Sequence, residues 1–176
     1  MKIELKQVKH YERLSEETNC FSAFVYVDGI KCASAENRGV GGNTDIWALD
    51  IKFKDLVNKA EEFCKTIPPH VFSDGITMPY TLEILVDELL EKYLDEKHKE
   101  KHNKKMQKLY NNAIVIGNDK EYFSMTLERP LSFYIDNCNI LTFQVFLKKL
   151  ITEKLKKYEA QNYRLLNTNI PKSIFK

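Results

Sequence analysis

The sequence lacks several features that would place it in a functional class at once. No apolar run approaches the ~20 residues that cross a bilayer, so no membrane association is expected. Residues 1–10 interleave charges with apolar side chains and lack the apolar centre of a secretory signal, which favours a cytoplasmic location. No CxxC pair is present, and we expect reduced, mostly buried thiols at the four cysteines, which are Cys20, Cys32, Cys64 and Cys138.

Arginine is also scarce, with four residues among the 27 basic side chains. Direct readout of bases depends on the bidentate fork of arginine, so a sequence-specific nucleic-acid partner is not expected. Lysine is concentrated instead in residues 92–108, which carry seven lysines and three acids and predict a charged, projecting helix over 95–108. In this stretch we interpret four exposed cations as contacts for a partner protein: Lys97, Lys101, Lys104 and Lys105.

The net charge of +2 conceals an asymmetry along the chain. Residues 1–91 sum to −6 and residues 92–176 to +8. The basic half could meet a polyanion, or the acidic half of the same or another copy.

Residues 21–36 predict a β-hairpin. The first half is rich in aromatic and β-branched residues, which favour strands. Asp28-Gly29 is typical of a two-residue type I′ turn, which needs positive φ at both positions. With Val27 and Ile30 closing the turn, the regular register predicts that Cys32 lies opposite Val25.

Both faces of this hairpin are apolar. Phe24 and Tyr26 lie on one face, whereas Phe21, Val25 and Val27 lie on the other. One layer of helices covers only one face, so the second requires an added strand layer or another subunit. The pattern therefore predicts a partner-seeking surface, which a homo-oligomer would satisfy.

The rest of the chain predicts further strands and three helices. The predicted strands are an edge strand at Lys2–Lys9, where the alternation of Ile3 and Leu5 slips before Val8, a hairpin at Ala113–Leu127 that turns at Gly117-Asn118-Asp119, and a last strand at Tyr163–Asn167. The predicted helices run from Asp50 to Ile67, where Pro68-Pro69 follows, from Thr81 as the N-cap of a long helix, and from Ile140 to Ala160. A loop is predicted from His70 to Pro79. The predicted fold is a single α+β domain, residues 1–176, with an antiparallel sheet of about five or six strands packed against three helices.

A glycine-rich loop is the main candidate for ligand binding. Its glycines let backbone N–H groups converge on an anion, with an arginine for charge and Asn or Thr for a hydrogen bond. The candidate binding residues are Arg38, Gly39, Gly41, Gly42, Asn43 and Thr44. The spacing matches neither a P-loop nor G-x-G-x-x-G, and a connection between a sheet and the next segment also favours glycine. A phosphate-bearing small molecule is the ligand that this loop would suit.

No catalytic constellation stands out. The sequence has no G-x-S-x-G elbow, and we assign no catalytic residue, no metal ligand and no cofactor. A metal- or carboxylate-dependent hydrolase is an alternative that would draw on His10, His70, Glu16 and Glu17. The question of enzymatic activity therefore stays open, with the balance towards a protein that is not an enzyme.

Two segments carry a resemblance to a known group of proteins. They read Leu14-Ser15-Glu16-Glu17-Thr18-x-Cys20-Phe21-x-Ala23, followed by Tyr26-Val27-Asp28-Gly29-x-Lys31 and Asn37-x-Gly39-x-Gly41-Gly42-x-Thr44, and at the C-terminal end Leu165-Leu166-Asn167-Thr168-Asn169-Ile170-Pro171. Over about a third of the chain, this resembles uncharacterised small accessory proteins of tailed phages, prophages and mobile elements. The resemblance implies a protein that acts inside an infected bacterium. It implies no functional residues.

Three functions follow from these observations. The leading hypothesis is an accessory binding protein that engages a host protein and inhibits an antiviral defence. The first alternative is a protein that sequesters a nucleotide or other small molecule in the loop 38–45. The second is the hydrolase described above.

Overall fold

The computed structural model describes residues 1–71, 75–137, 141–157 and 162–172. The predicted α+β class is confirmed, because the described residues form antiparallel sheets together with four α-helices. The chain divides into two compact units, Met1–Lys97 and His98–Lys176, and each is described by itself. Among the described residues, no helix combines the length and the apolar character needed to span a bilayer.

The first unit contains a four-stranded antiparallel sheet in the order β1-β2-β3-β4. The elements of this unit are β1 Ile3–His10, β2 Phe21–Val27, β3 Ile30–Asn37, β4 Asp45–Ala48, α1 Lys54–Lys65, β5 His70–Val71, β6 Thr77–Met78 and the start of α2 Leu82–Asn112. Short 3₁₀ turns occupy Glu12–Leu14 and Ile51–Phe53. The sequence did not predict β4, nor the two-residue pair β5 and β6 in the predicted loop.

The β2–β3 hairpin turns as predicted, but its register differs. Asp28 and Gly29 have φ of 49° and 84°, as a type I′ turn requires. Beyond the turn a β-bulge inserts Cys32, so Val25 pairs with Ala33 and the predicted pairing of Val25 with Cys32 is wrong. The bulge allows both Cys32 and Ala33 to be fully buried, which strict alternation would forbid.

A second bulge interrupts β1 at the predicted slip. Gln7 has φ of 54°, and the pairing with β2 shifts between Lys6 and Lys9. As a result Leu5 and Val8, although an odd number of residues apart, both pack against the first core. The slip in the alternation of apolar residues therefore coincides with this bulge, and the predicted edge strand is confirmed.

The first core lies between one face of this sheet and the helices α1 and α2. Its fully buried side chains include Val25 and Val27 from β2, Ala60 and Cys64 from α1, and Val86 from α2. Periodic apolar positions on each helix place these residues on one stripe. The predicted burial of cysteine is also confirmed for Cys20, Cys32 and Cys64, which are free thiols, while Cys138 lies outside the described residues.

The start of α2 is capped from two directions. The Thr81 hydroxyl oxygen accepts from the Ile84 N–H at 3.2 Å, which confirms the predicted N-cap. Glu61 of α1 adds a carboxylate oxygen 2.9 Å from the Leu82 N–H. Helix α2 then runs for 31 residues, and every residue from 95 to 105 is exposed. The charged stretch is thus helical, as predicted.

The second unit contains a three-stranded antiparallel sheet in the order β8-β7-β9. Its elements are the end of α2, β7 Ala113–Gly117, β8 Tyr122–Thr126, α3 Leu131–Asp136, α4 Leu141–Lys157 and β9 Arg164–Leu165. The predicted hairpin, the last helix and the last strand are confirmed, whereas α3 was not predicted. Every residue of β7 is buried.

Two apolar clusters cover the two faces of β7. Ile114 packs with Leu147 and Ile151 of α4. Val115 faces the other way and packs with the group that contains Met106 of α2. Helix α2 therefore returns to an apolar environment at Met106.

The C-terminal segment completes the second sheet through one buried amide. The Asn167 side-chain oxygen accepts from the Val115 N–H at 2.6 Å, and its nitrogen donates to the Ala113 carbonyl oxygen at 2.9 Å. The Leu166 N–H also donates to the Val115 carbonyl oxygen at 2.9 Å. The residues that carry the C-terminal resemblance therefore have a structural role here.

Candidate functional site

The glycine-rich loop is held by side chains of its own chain. The Gly39 N–H donates to the Asn37 side-chain oxygen at 2.9 Å. The Thr44 N–H donates to Glu83 Oε1 at 3.0 Å, and the Thr44 hydroxyl donates to Asp87 Oδ1 at 2.7 Å. We name the group of Thr44, Glu83 and Asp87 the loop latch. Three of the donors that could have met a phosphate therefore already bind internal acceptors.

Charge in this region is mostly negative. Burial raises the pKa of Glu83, and Asp87 raises it further, while the hydrogen bond from Thr44 lowers it. Burial likewise raises the pKa of Asp87, with the Thr44 hydroxyl lowering it and Glu91 raising it. A cleft of about 260 Å³ beside the loop is lined by Glu17, Asp87 and Glu91 among others. These carboxylates oppose a phosphate, and ligand binding by the loop stays a prediction.

Backbone amides do converge near the loop, but on an oxygen of the chain itself. The N–H groups of Glu16, Glu17 and Thr18 point at the Gly39 carbonyl oxygen, at 2.8, 3.0 and 3.3 Å. Successive amides of this kind form anion sites in other proteins. Here they fasten the loop to the segment that precedes β2.

Gly39 and Gly42 both have positive φ, but they differ in the space available for a side chain. Gly39 has φ of 84°, and a Cβ at this position would overlap the Leu14 carbonyl oxygen and approach the Cys20 Cβ to 2.7 Å. Gly42 has φ of 94° with open space around it. The Arg38 and Asn43 side chains are exposed, and Arg38 makes no ion pair within the described ranges.

His10 belongs to a polar cluster that resembles a catalytic group only at first sight. Its Nε2 lies 3.2 Å from Asn19 Oδ1 and 3.3 Å from Ser15 Oγ. A triad histidine uses its two ring nitrogens for the two partners, whereas both contacts here involve one nitrogen. The Ser15 hydroxyl also donates to the Tyr11 carbonyl oxygen at 3.1 Å and accepts from the Cys20 N–H at 2.9 Å. This cluster therefore stabilises the turn before β2.

His70 belongs to a different hydrogen-bonded group. Its Nδ1 lies 3.2 Å from Glu88 Oε1, and the Tyr80 hydroxyl donates to Glu88 Oε2 at 2.5 Å. Burial and the neighbouring Glu88 carboxylate raise the pKa of Tyr80 well above its usual range. Glu16 and Glu17 are exposed. Within the described ranges, no cluster of three His, Cys, Asp or Glu side chains has metal-binding geometry, and the hydrolase stays a prediction.

The four lysines predicted as partner contacts are all exposed on α2. Lys101, Lys104 and Lys105 lie in the second unit, three and four residues apart, so they share one side of the helix. Lys97 lies in the first unit, with its ammonium 5.0 Å from the centroid of the Tyr93 ring. Partner binding by these lysines also stays a prediction.

The first sheet presents a second face that carries no helix among its described contacts, and we name it the open face. Phe24 and Tyr26 are half-buried there. The Lys31 ammonium lies 3.2 Å from the centroid of the Phe24 ring, and the Lys6 ammonium lies 4.8 Å from that of Tyr26. Within the chain, lysine side chains therefore supply the second cover that the apolar hairpin required.

Trp47 on β4 is the residue of the open face that sequence reasoning missed. It pairs with Ser34, which pairs with Phe24, so the three side chains form a row across the sheet. Trp47 is 60% exposed, and Leu49 just beyond β4 is 42% exposed. The alternation of inward Ile46 with outward Trp47 was a strand signal in the sequence.

Comparison with protein-family models, curated proteins and solved structures found no match. We therefore infer function from the geometry of the described residues. That geometry combines an internally fastened loop with an exposed aromatic row on a sheet.

Proposed function

We propose that this chain is a binding protein without catalytic activity, which engages another protein through the open face of its first sheet. The observation that carries the proposal is the exposure of Trp47 at the end of a row with Ser34 and Phe24. The loop latch and the His10 cluster support the absence of catalytic activity in this proposal, because their polar groups already make hydrogen bonds within the chain.

An exposed tryptophan on a regular strand suits an interaction surface. Tryptophan is enriched among the few side chains that dominate binding energy at interfaces, where truncation costs about 2 kcal/mol or more. Trp47 contributes little to the first core, because its side chain points away from α1 and α2. Beside Phe24 a groove of about 200 Å³ adds concave surface on the same sheet.

Charges on the open face suggest the chemistry of the partner. Glu4 lies 3.0 Å from Lys2 and 3.3 Å from Lys6, so its charge is already balanced. Lys31 makes no ion pair within the described part of the chain. A partner with an apolar patch bordered by carboxylates would bury Trp47 and pair with Lys31.

The resemblance to phage accessory proteins supports a biological context for this binding. Proteins of that kind act inside an infected bacterium, so the proposed location is the host cytoplasm. The proposed partner is a host protein, and the proposed consequence is inhibition of an antiviral defence.

Variants of Trp47 test the proposal directly. A protein captured from bacterial lysate at one-to-one stoichiometry would be purified and titrated against the chain. We expect Trp47→Ala to weaken binding by about 30-fold or more, which corresponds to about 2 kcal/mol. Val71→Ala is the matched control, since Val71 is 63% exposed but lies outside the first sheet.

A second readout distinguishes contact from an indirect effect. Trp47 is the chain's single tryptophan, so incorporation of fluorotryptophan gives one ¹⁹F resonance. We expect that resonance to shift on binding, and melting temperatures of both variants to match the wild type. Equal binding by Trp47→Ala, or an unmoved resonance at saturation, would overturn the proposal, as would failure to recover any host protein.

A further inference from the structure

We propose that the free edge of β8 pairs with β8 of a second copy, joining two three-stranded sheets into one six-stranded sheet about a two-fold axis. This inference concerns the second unit and does not depend on the proposed function. The argument uses the hydrogen-bonding parity of β8, the composition of its edge and the charges at its ends.

Backbone parity shows which residues of β8 point outward. The Leu127 N–H donates to the Asn112 carbonyl oxygen, and the Glu121 carbonyl oxygen accepts from the Asn118 N–H, so odd-numbered residues are bonded within the hairpin. The alternation of a strand then directs the N–H and C=O groups of the even-numbered residues away from β7. The outward residues are Tyr122, Ser124 and Thr126, which have no other backbone partner among the described residues.

The edge of β8 lacks the features that protect other edges. Its sequence, Tyr122–Thr126, has no charge, no proline and no bulge, and four of its five residues are exposed. By contrast, the edge strand β1 of the first sheet carries Lys6 and Lys9 and a bulge at Gln7. Charges and bulges are the usual means by which edges avoid pairing with another strand. The unguarded edge of β8 is therefore suited to accept a strand.

A two-fold axis at Ser124 uses all three outward residues. In that antiparallel register Ser124 pairs with its own copy, and Tyr122 pairs with Thr126 in both directions. Each pair exchanges two hydrogen bonds because both members point outward. The intervening residues Phe123 and Met125 then lie opposite each other, and an aromatic ring beside a thioether is a favourable pair.

Charges at the ends of β8 are complementary in the same register. Lys120 lies four residues before Ser124 and Glu128 lies four residues after it, so each meets the other across the axis. Both side chains are exposed, and neither makes an ion pair within the described part of the chain. A register shifted by two residues would lose this match. The occupant that fits the edge is therefore a second copy of this chain.

Disulfide trapping at the axis is the direct test. Paired Cα atoms in a hydrogen-bonded antiparallel pair lie about 5.5 Å apart, within the range that a disulfide spans. We expect Ser124→Cys to give a disulfide-linked dimer on mild oxidation of the full chain, well above the wild-type background from native cysteines. Ser132→Cys, an exposed serine on α3, is the matched control. Equal cross-linking of the two variants would overturn the inference.

Charge reversal tests the register in the unmodified backbone. We expect Lys120→Glu to raise the dimer dissociation constant about fivefold at low salt, because two ion pairs become two repulsions. Glu128→Lys should act alike, and the double variant should restore the wild-type constant. Sedimentation at several concentrations measures all four proteins, with circular dichroism to show that each is folded. A wild-type chain that stays at the monomer mass of 20.7 kDa at millimolar concentration would also overturn the inference.

Discussion

The replacement Thr44→Val tests whether the loop latch stabilises the first unit. Valine keeps the shape of threonine but removes the hydroxyl that donates to Asp87 at 2.7 Å. The Thr44 N–H would still reach Glu83. Thr44 is buried, so water does not readily replace the lost donor.

The expected magnitude follows from the charge of the acceptor. A hydrogen bond to a charged group contributes about 1.5–3 kcal/mol, and an acceptor left without its donor adds a desolvation cost. Asp87 is only half-buried and recovers part of that cost from solvent. We therefore expect Thr44→Val to lower the free energy of unfolding by about 2 kcal/mol, and Thr44→Ser, which keeps the hydroxyl, to lower it by less than about 1 kcal/mol.

Urea unfolding followed by tryptophan fluorescence measures this change, because the single tryptophan, Trp47, lies in the first unit. With a slope of about 2 kcal/mol/M, the Thr44→Val midpoint should fall by about 1 M. If Thr44→Val and Thr44→Ser unfold at the same midpoint, the hydroxyl–Asp87 bond does not stabilise the fold as inferred.

The pH dependence of the free energy of unfolding provides a second test of the loop latch. Burial raises the pKa of Asp87 in the folded chain, so the folded state binds its proton more tightly than the unfolded state. The Asp87 contribution to stability is therefore largest below its unfolded pKa of about 3.9 and falls as pH rises through the folded value. Asp87→Asn removes this titration while Glu83 and Glu91, which face the same region, remain.

We accordingly expect the stability of wild type relative to Asp87→Asn to increase as pH falls from 7 towards 4.5. Urea unfolding of both proteins at each pH provides the comparison. A difference that stays constant, or that moves in the opposite direction, would contradict the raised pKa.

Three further predictions concern single positions. Gly39→Ala should destabilise by more than about 2 kcal/mol, since it adds a clash to the strain of positive φ, whereas Gly42→Ala should cost only about 1 kcal/mol; urea unfolding ranks them. Asn167→Ala should cost about 2–4 kcal/mol by leaving the Val115 N–H unpaired, as thermal unfolding would show, and a loss below 1 kcal/mol would refute this. Burial raises the pKa of Cys64 to about 11, so maleimide should label it only on unfolding.

Local chemistry allowed much of the fold to be predicted. The Asp28-Gly29 turn needs only two residues that tolerate positive φ, and the Thr81 cap needs only a side chain within one helical turn of its N–H partner. The slip between Leu5 and Val8 is likewise visible in the sequence as broken alternation. Each of these features depends on residues within a few positions of one another.

Features that depend on distant packing escaped prediction. The bulge at Cys32 exists because two adjacent side chains are both buried under α1 and α2, which alternation alone does not reveal. β4 is only four residues long, which is a weak strand signal in the sequence, and it is a strand because it pairs with β3. Helix α3 is six residues long, and its single fully buried side chain, Leu131, packs against Leu147.

The candidate site divides in the same way. The glycines at 39, 41 and 42 indicate a tight loop, because glycine adopts their positive φ at little energetic cost. The acceptors that hold the loop, Glu83 and Asp87, lie 39 and 43 residues from Thr44. The sequence suggested that this loop suits an anion, whereas in the structure the carboxylates of Glu83 and Asp87 lie beside it.

The sequence alone thus predicted turn types, caps and strand alternation, because each of these features depends on residues that are close together along the chain. Folding alone decided which polar groups found internal partners and which aromatic side chain, Trp47, stayed exposed. The reason is that burial and hydrogen bonding across the sheet and helices depend on distances that chain order does not specify.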